Sequence, residues 1–388
     1  MLNYFSADWI FPVSTPPVKN GVVAVNAEGE IQEVLTELAA QQLPLEIKGY
    51  KGAIVPGFIN THCHLELSHM LGEIPERTGL VAFLQTVIKS RSADAEEIQL
   101  AMHSADQKMF DNGIVAVGDI SNQLISKTVK QQSEIYYHTF VEALSFNPDR
   151  ATATMEFASD IKDQFLPLPA SVVPHAPYSV SPELFALINT AAEKEHTFIS
   201  VHNQETTHEN DFFEQKSGGF LELYQFLGLD LVFFKPSGKT SLQTWLPYIK
   251  KQKMLLVHNT VSSKEDIAFA KQNHADLYWC LCPQANLYIE NALPDVHLLI
   301  SENLKITLGT DSLASNHQLN ILAEMQTLQS LKKVKFEELL KWATINGADF
   351  LGLADKFGSI EVGKSPGLNL IQLSEDFIIK SDQVIKLA

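Results

Sequence analysis

The sequence predicts an α/β fold: eight parallel strands closed into a barrel and wrapped by helices, with a small β-sandwich assembled from both chain ends. Two observations predict it. Across about 300 residues of the middle, eight short apolar runs alternate with longer segments of helical spacing, as a closed parallel barrel requires. Both ends, in contrast, are rich in short extended pieces broken by turn residues.

At the N-terminal end, Gly21 to Asn26 (GVVAVN) is β-rich, and Asn26 to Ile31 (NAEGEI) has the composition of a hairpin turn. Phe357 to Lys364 (FGSIEVGK) and Leu368 to Leu373 (LNLIQL) are similar in character at the far end. These pieces are expected to form a composite β-sandwich from residues 1–55 and 356–388. Residues 56–355 are expected to form the (β/α)8 TIM barrel. Its strands fall at 53–58, 114–120, 135–141, 171–174, 198–201, 254–257, 277–281 and 306–308, with helical spacing at 182–196 and 319–333 among others. There is no low-complexity segment and no short-period repeat.

Composition narrows the function. The chain has 388 residues, 45% of them hydrophobic and 19% charged, which is ordinary for a globular protein with a large core. A net charge of −17 repels polyanions, so nucleic acid is not expected as a partner. Arg77, Arg91 and Arg150 are the only arginines, which leaves few forks for clamping an anion. Cys63, Cys280 and Cys282 do not suggest a disulfide framework; Cys280 and Cys282 form a CxC pair, but no second pair completes a metal site. The start of the chain has neither the basic residues nor the apolar stretch of a secretion signal, and no apolar run is long enough for a membrane span. A cytoplasmic protein acting on a small molecule is expected, without a membrane partner; a homo-oligomer is compatible with these features.

Chemistry-bearing residues concentrate where the predicted strands end. The first strand runs into PGFINTHCH, and alternate residues of a strand share a face, so His62 and His64 project together while Cys63 faces away. The fifth ends in SVHNQE with His202 and Glu205, the sixth in LVH with His258, and the eighth in LGTDS with Asp311. Each has an ordinary alternative, a packed histidine or a helix-capping aspartate. Together, imidazoles and a carboxylate at the carboxyl ends of several strands suit Zn2+, or Fe2+ or another divalent ion, with a position open for water. A cation there lowers the pKa of bound water to about 7.

These motifs, PGFINTHCH, HxxE at His202 and Glu205, VH at His258 and GTDS at Asp311, resemble the amidohydrolase superfamily. More narrowly, they are similar to its cytosine-deaminase-like and chlorohydrolase-like branch, and the resemblance spans nearly the whole chain. PHAPY at Pro174 to Tyr178 and CPQAN at Cys282 to Asn286 match as well, although Gln284 and Ala285 stand where the branch has Arg and Ser. The branch as a whole includes S-adenosylhomocysteine and methylthioadenosine deaminases, and the LELSH stretch with Glu66 resembles a subgroup of it that includes aminodeoxyfutalosine deaminases beside members of unknown substrate.

The resemblance implies a single metal held by His62, His64, His202 and Asp311, because the fourth strand lacks the lysine of binuclear members. It implies that Asp311 also takes the water proton, that Glu205 carries a proton to the substrate ring, and that His258 orients the water. For Glu205 the alternative is a first-turn helix carboxylate, and for His258 a buried structural histidine. His175, Glu66 and Asn286 are implied to touch substrate. The segment from Leu65 to Arg91 is expected to cover the mouth, with Phe83 or Tyr178 packing on a ring, and Ser121, Asn122, Glu142, His175, Asn286 and Ser312 are the polar groups expected there. The implied activity is hydrolytic deamination of an amino-substituted heterocycle, most simply an aminated purine nucleoside derivative. Ring amide opening, displacement of another leaving group, and a non-catalytic scaffold are the alternatives; ammonia, halide or carboxylate release and metal content tell them apart.

Overall fold

A computed structural model describes residues 2–42 and 46–388. In chain order the strands are β1 (Asn3–Ser6), β2 (Trp9–Ile10), β3 (Val18–Lys19), β4 (Val22–Val25), β5 (Ile31–Leu35), β6 (Ile47–Gly49), β7 (Ala53–Pro56), β8 (Phe58–Cys63), β9 (Ile114–Ser121), β10 (Tyr136–Ala143), β11 (Ala170–Pro174), β12 (Ile199–Asn203), β13 (Met254–His258), β14 (Leu277–Leu281), β15 (Lys305–Leu308), β16 (Leu368–Ile371) and β17 (Ile385–Lys386).

The middle of the chain is α/β with parallel strands. β8 to β11 form one four-stranded parallel sheet and β12 to β15 another, each in sequential order. Helices between successive strands cover them, so both faces are buried and the strands read as continuous apolar runs rather than alternations. The helix Pro182–Glu195 shows why the segments between strands become helical. Ser181 caps its first turn by accepting from Leu184 N at 3.2 Å, Pro182 fits the first position, and His196 ends it with a left-handed φ of 54°.

The two parallel sheets meet along β8 and β15. Asn60 Nδ2 donates to Thr310 Oγ1 at 2.8 Å, the hydroxyls of Thr61 and Thr307 are 2.8 Å apart, and Cys63 bridges to Asp311. The N–H groups of Thr310 and Asp311 both donate to the carbonyl of His62 at 3.1 Å. On the other side, His202 N donates to the His175 carbonyl at 3.0 Å, linking the ends of β12 and β11.

The chain ends contribute two further sheets, ordered β5-β4-β1-β6 and β17-β16-β7-β2-β3. Phe5, Ile10, Val23, Val25, Ile31, Ile54, Ile360, Leu368 and Leu370 form one apolar cluster between them. The expected strand at 53–58 is in fact two. Ala53–Pro56 pairs antiparallel with Leu368–Ile371, whereas Phe58–Cys63 belongs to the parallel sheet. Gly57 makes the change of sheet possible, since any Cβ there would collide with Val115 and the Pro366 carbonyl.

One buried ion pair stands behind the first two parallel strands. Asp119 on β9 accepts from Leu65 N at 2.8 Å, and Lys130 Nζ lies 2.7 Å from its other oxygen. Lys130 also donates to the hydroxyls of Ser121 and Thr139. Among the described residues no helix is long and apolar enough to cross a membrane.

Candidate active site

β8 places His62 and His64 on one face, as their spacing requires, and the ends of β12, β13 and β15 bring His202, His258 and Asp311 to meet them. His64 Nε2 is 3.1 Å from His62 Nε2, 3.3 Å from His202 Nε2 and 3.3 Å from Asp311 Oδ1. His62 Nε2 lies 3.6 Å from the same carboxylate oxygen. Ligand atoms of His62, His202, His258 and Asp311 all fall within 4.8 Å of one another. The turns that aim these groups are strained: His258 has φ 76° and Asp311 φ 59°, left-handed values that non-glycine residues hold only where the surroundings enforce them.

Burial decides the protonation of this cluster. It holds His62, His64, His175 and His202 below the ordinary imidazole range and brings His258 down to about 3. Burial pushes Asp311 up, but His64, His258, His202 and the Ser315 hydroxyl outweigh it, and the carboxylate stays below its usual range. Burial thus disfavours the charged form of the imidazoles while the carboxylate is held toward its ionised form, so the cluster gathers lone pairs rather than donors.

Such a donor set fits a divalent cation. His62 is fully buried, its Nδ1 has no partner among the described residues, and its Nε2 faces other acceptors, an arrangement that costs free energy until a cation fills it. His202 is oriented in a way that suits the same role. Its Nδ1 lies 2.7 Å from the His175 carbonyl, which fixes the proton there and leaves Nε2 free as a ligand. Ser315, which no sequence motif singles out, donates to Asp311 Oδ2 at 2.6 Å and leaves Oδ1 toward the histidines.

Glu205 is buried just past β12, with Oε1 3.7 Å from His258 Nε2. Burial pushes its carboxyl well above the usual range, and the charges of Asp311, Glu209 and Glu290 push it further. The following helix is Thr207–Gln215, so Glu205 precedes it. The helix-start role belongs to Glu209, which accepts from Gln204 N at 3.0 Å and Glu205 N at 3.3 Å. That frees Glu205 for the cavity, which it lines.

The cavity has a volume of about 350 Å³, the size of a small-molecule site. His64, His202, His258, Asp311 and Glu205 line it with His175, Glu66, Asn122, Glu142 and Ser312. Much of the remaining lining is apolar. Leu67, Leu80, Phe83, Leu84, Val87 and Ile88 come from the segment after β8, and Leu223, Leu227 and Leu229 contribute as well. Arg91 and Tyr178 also line it.

The expected substrate-contacting residues differ in their situation. His175 lines the cavity with Nδ1 2.6 Å from Ser179 Oγ. Glu66 lines it too, but its two oxygens accept from Asn122 N and Gln123 N at 3.1 and 3.2 Å. Asn286 does not line it: the side chain is buried behind His258, 3.3 Å from its Nδ1 and 2.8 Å from Thr260 Oγ1. Ser121 likewise points away, to Ser126 and Lys130. Gln284, in the loop that departs from the expected pattern, presents its N–H to Glu324.

The chain is similar to known proteins over most of its length. The profile of the amidohydrolase family matches residues 53–386. An adenosine deaminase of Helicobacter pylori is 27% identical over 335 residues, covering 84% of this chain and 80% of that protein. The structure of Helicobacter pylori aminofutalosine deaminase in complex with methylthio-coformycin superimposes with a TM-score of 0.81 at 22% identity, covering 98% of this chain and 94% of that one. A zinc-bound adenosine deaminase from Xanthomonas campestris gives a TM-score of 0.72 at 20% identity, covering 98% and 90%.

Proposed function

This chain belongs to the amidohydrolase family, and from that premise we propose that it is a metal-dependent hydrolytic deaminase of an amino-substituted heterocycle, with an aminated purine nucleoside as its substrate class. One observation carries the reading: a cation-type donor set and the buried carboxyl of Glu205, which burial pushes well above the usual carboxylate range, line one cavity. The deaminase names of its relatives support the same reaction.

We assign His62, His64, His202 and Asp311 as ligands to one Zn2+ per chain, with Fe2+ a chemically similar occupant. When bound, the ion supplies the Lewis acidity that makes water nucleophilic near neutral pH. The remaining steps belong to the chain. Asp311, ionised and steadied by Ser315, takes a proton from the attacking water. His258, neutral and 3.7 Å from Glu205, orients that water. Glu205 begins protonated and gives its proton to the ring nitrogen beside the attacked carbon. Asp311 then passes its proton to the departing amino group, and the remaining hydrogen of the added hydroxyl goes to Glu205 as the carbonyl forms, so one water is consumed, one ammonia leaves, and both carboxyls regain their starting states.

The same proposal takes the two parallel sheets as one closed (β/α)8 barrel over 56–355 and the two end sheets as a β-sandwich over 1–55 and 356–388. The contacts along β8 and β15 and the shared apolar cluster of the end sheets support it.

The test is ammonia release by metal-loaded protein from adenosine, its 5′-thioether derivatives and AMP, side by side. Arg91 is the one guanidinium among the described residues lining the cavity, and no glycine-rich amide nest accompanies it, so the unphosphorylated compounds are expected to show the higher kcat/KM. A higher value for AMP than for every unphosphorylated compound rejects the neutral substrate. No ammonia from any of them rejects deamination of this class.

A further inference from the structure

Glu142 closes β10 beside the histidine cluster, 7% exposed, with its side chain on the cavity wall. Its two oxygens are not equivalent. Oε2 accepts from Asn122 Nδ2 at 3.2 Å, whereas Oε1 has no hydrogen-bond partner among the described residues. The closest ring nitrogen, His202 Nδ1, lies 3.5 Å away and is already engaged with the His175 carbonyl at 2.7 Å. A buried acceptor left in this state is costly until something in the cavity supplies a donor. Glu66 is the contrast on the same wall, since backbone N–H groups occupy both of its oxygens.

The position says what kind of donor. His202 turns Nε2 toward the cation site and Nδ1 toward Glu142, so Glu142 is one imidazole ring removed from the reacting carbon. A group that reaches it belongs to a substituent of the heterocycle rather than to the edge being attacked. Of the cavity lining, Leu84, Val87, Leu223 and Leu227 offer such a substituent no polar partner, Arg91 can only donate, and the hydroxyls of Ser145 and Ser179 are engaged with Asn147 and His175. A hydroxylated substituent therefore finds its acceptor at Glu142, beside Asn122.

We propose that Glu142 is a specificity-determining residue whose Oε1 accepts a hydrogen bond from a sugar hydroxyl of the substrate, making the enzyme selective for hydroxylated nucleosides over their deoxy analogues. This rests on the nucleoside-deaminase reading above. A site built to bond a hydroxyl discriminates strongly against a molecule lacking it.

The test is a cycle of enzyme and substrate variants using metal-loaded protein. Wild type, Glu142→Gln and Glu142→Ala are each assayed with adenosine, 2′-deoxyadenosine and 3′-deoxyadenosine, and the metal content of each protein is measured. Wild type is expected to lose about 10- to 100-fold in kcat/KM on at least one deoxy analogue. Glu142→Ala should lose a similar factor on adenosine but less than about threefold on that analogue, with the metal retained. Glu142→Gln keeps the shape and an acceptor oxygen, and should fall between the two.

Equal losses on all three substrates would overturn the proposal, as would metal content falling in step with activity, which would make Glu142 a support for His202. If the alanine variant does not fold, the glutamine variant and the wild-type ratios still decide: wild type that does not discriminate among the three nucleosides overturns the proposal by itself. If wild type releases ammonia from none of them, the deaminase reading and this inference fall together, an outcome distinct from loss of discrimination alone.

Discussion

Lys130 Nζ lies 2.7 Å from the carboxylate of Asp119, and both side chains are wholly buried. The pair holds the chain where β8 passes its histidines to the site, because the other Asp119 oxygen accepts the N–H of Leu65, the residue after His64. Removing one partner from a buried pair leaves a charge with no compensation. Lys130→Met is expected to destabilise the protein by about 3–5 kcal/mol, and Lys130→Met with Asp119→Asn by less than the single change. Denaturant unfolding of the metal-free protein measures this, and a single-variant loss below about 0.5 kcal/mol would show that the pair is not needed.

Ligands and proton carriers separate by what their loss removes. His62→Ala and Asp311→Ala are expected to lower both bound metal and activity. Glu205→Gln keeps the size and polarity of the side chain, so metal should remain while turnover drops on the order of 10²–10⁴. Elemental analysis beside single-turnover rates checks both. A Glu205 variant that loses its metal, yet keeps normal activity per bound ion, would make Glu205 a ligand.

Glu324 gives a pH dependence of stability with a definite sign. Burial raises its carboxyl to about 8, against the hydrogen bonds from Gln284 N and Asn316 Nδ2. The folded protein therefore keeps a proton that the unfolded chain releases above the ordinary carboxylate range. Stability falls as pH rises from that range to about 8, then levels. Glu324→Gln should flatten part of this fall, by up to about 2 kcal/mol between about pH 6 and pH 9, since Glu209 shifts in the same direction. The amide is expected to cost some stability at every pH, because its NH2 faces a donor; the slope is the readout. Parallel pH profiles of wild type and variant would count against the assignment.

Much of the site was legible because strand periodicity and strand ends are local. An HxH pair must share a face, and Glu205 three residues past His202 must leave the strand where substrate can arrive. What was hidden depends on tertiary neighbours. Nothing in CPQAN says that Asn286 turns behind His258 rather than into the cavity. Glu209, Ser315 and the Lys130–Asp119 pair carry no motif, since each is defined by a partner reached only through folding. The apolar run at 53–58 reads as one strand because Pro56 and Gly57 sit inside it without changing its hydrophobicity, although the chain changes sheets there.

The seam between β8 and β15 also bears on how the molecule comes into being. Asn60 and Thr310 bond across 250 positions of the chain. On the ribosome, the strand bearing His62 and His64 is exposed long before Thr307 or Asp311 has been made. Its edge is unpaired throughout that interval, which is when nascent parallel sheets are most open to non-native pairing. On the proposed ligand set, a metal ion arriving before residue 202 has been made would meet His62 and His64 without His202 or Asp311. On the ligand set proposed above, a stalled or truncated product that ends before Asp311 would lack the one carboxylate of that set, and it is expected to retain metal less well than the full chain.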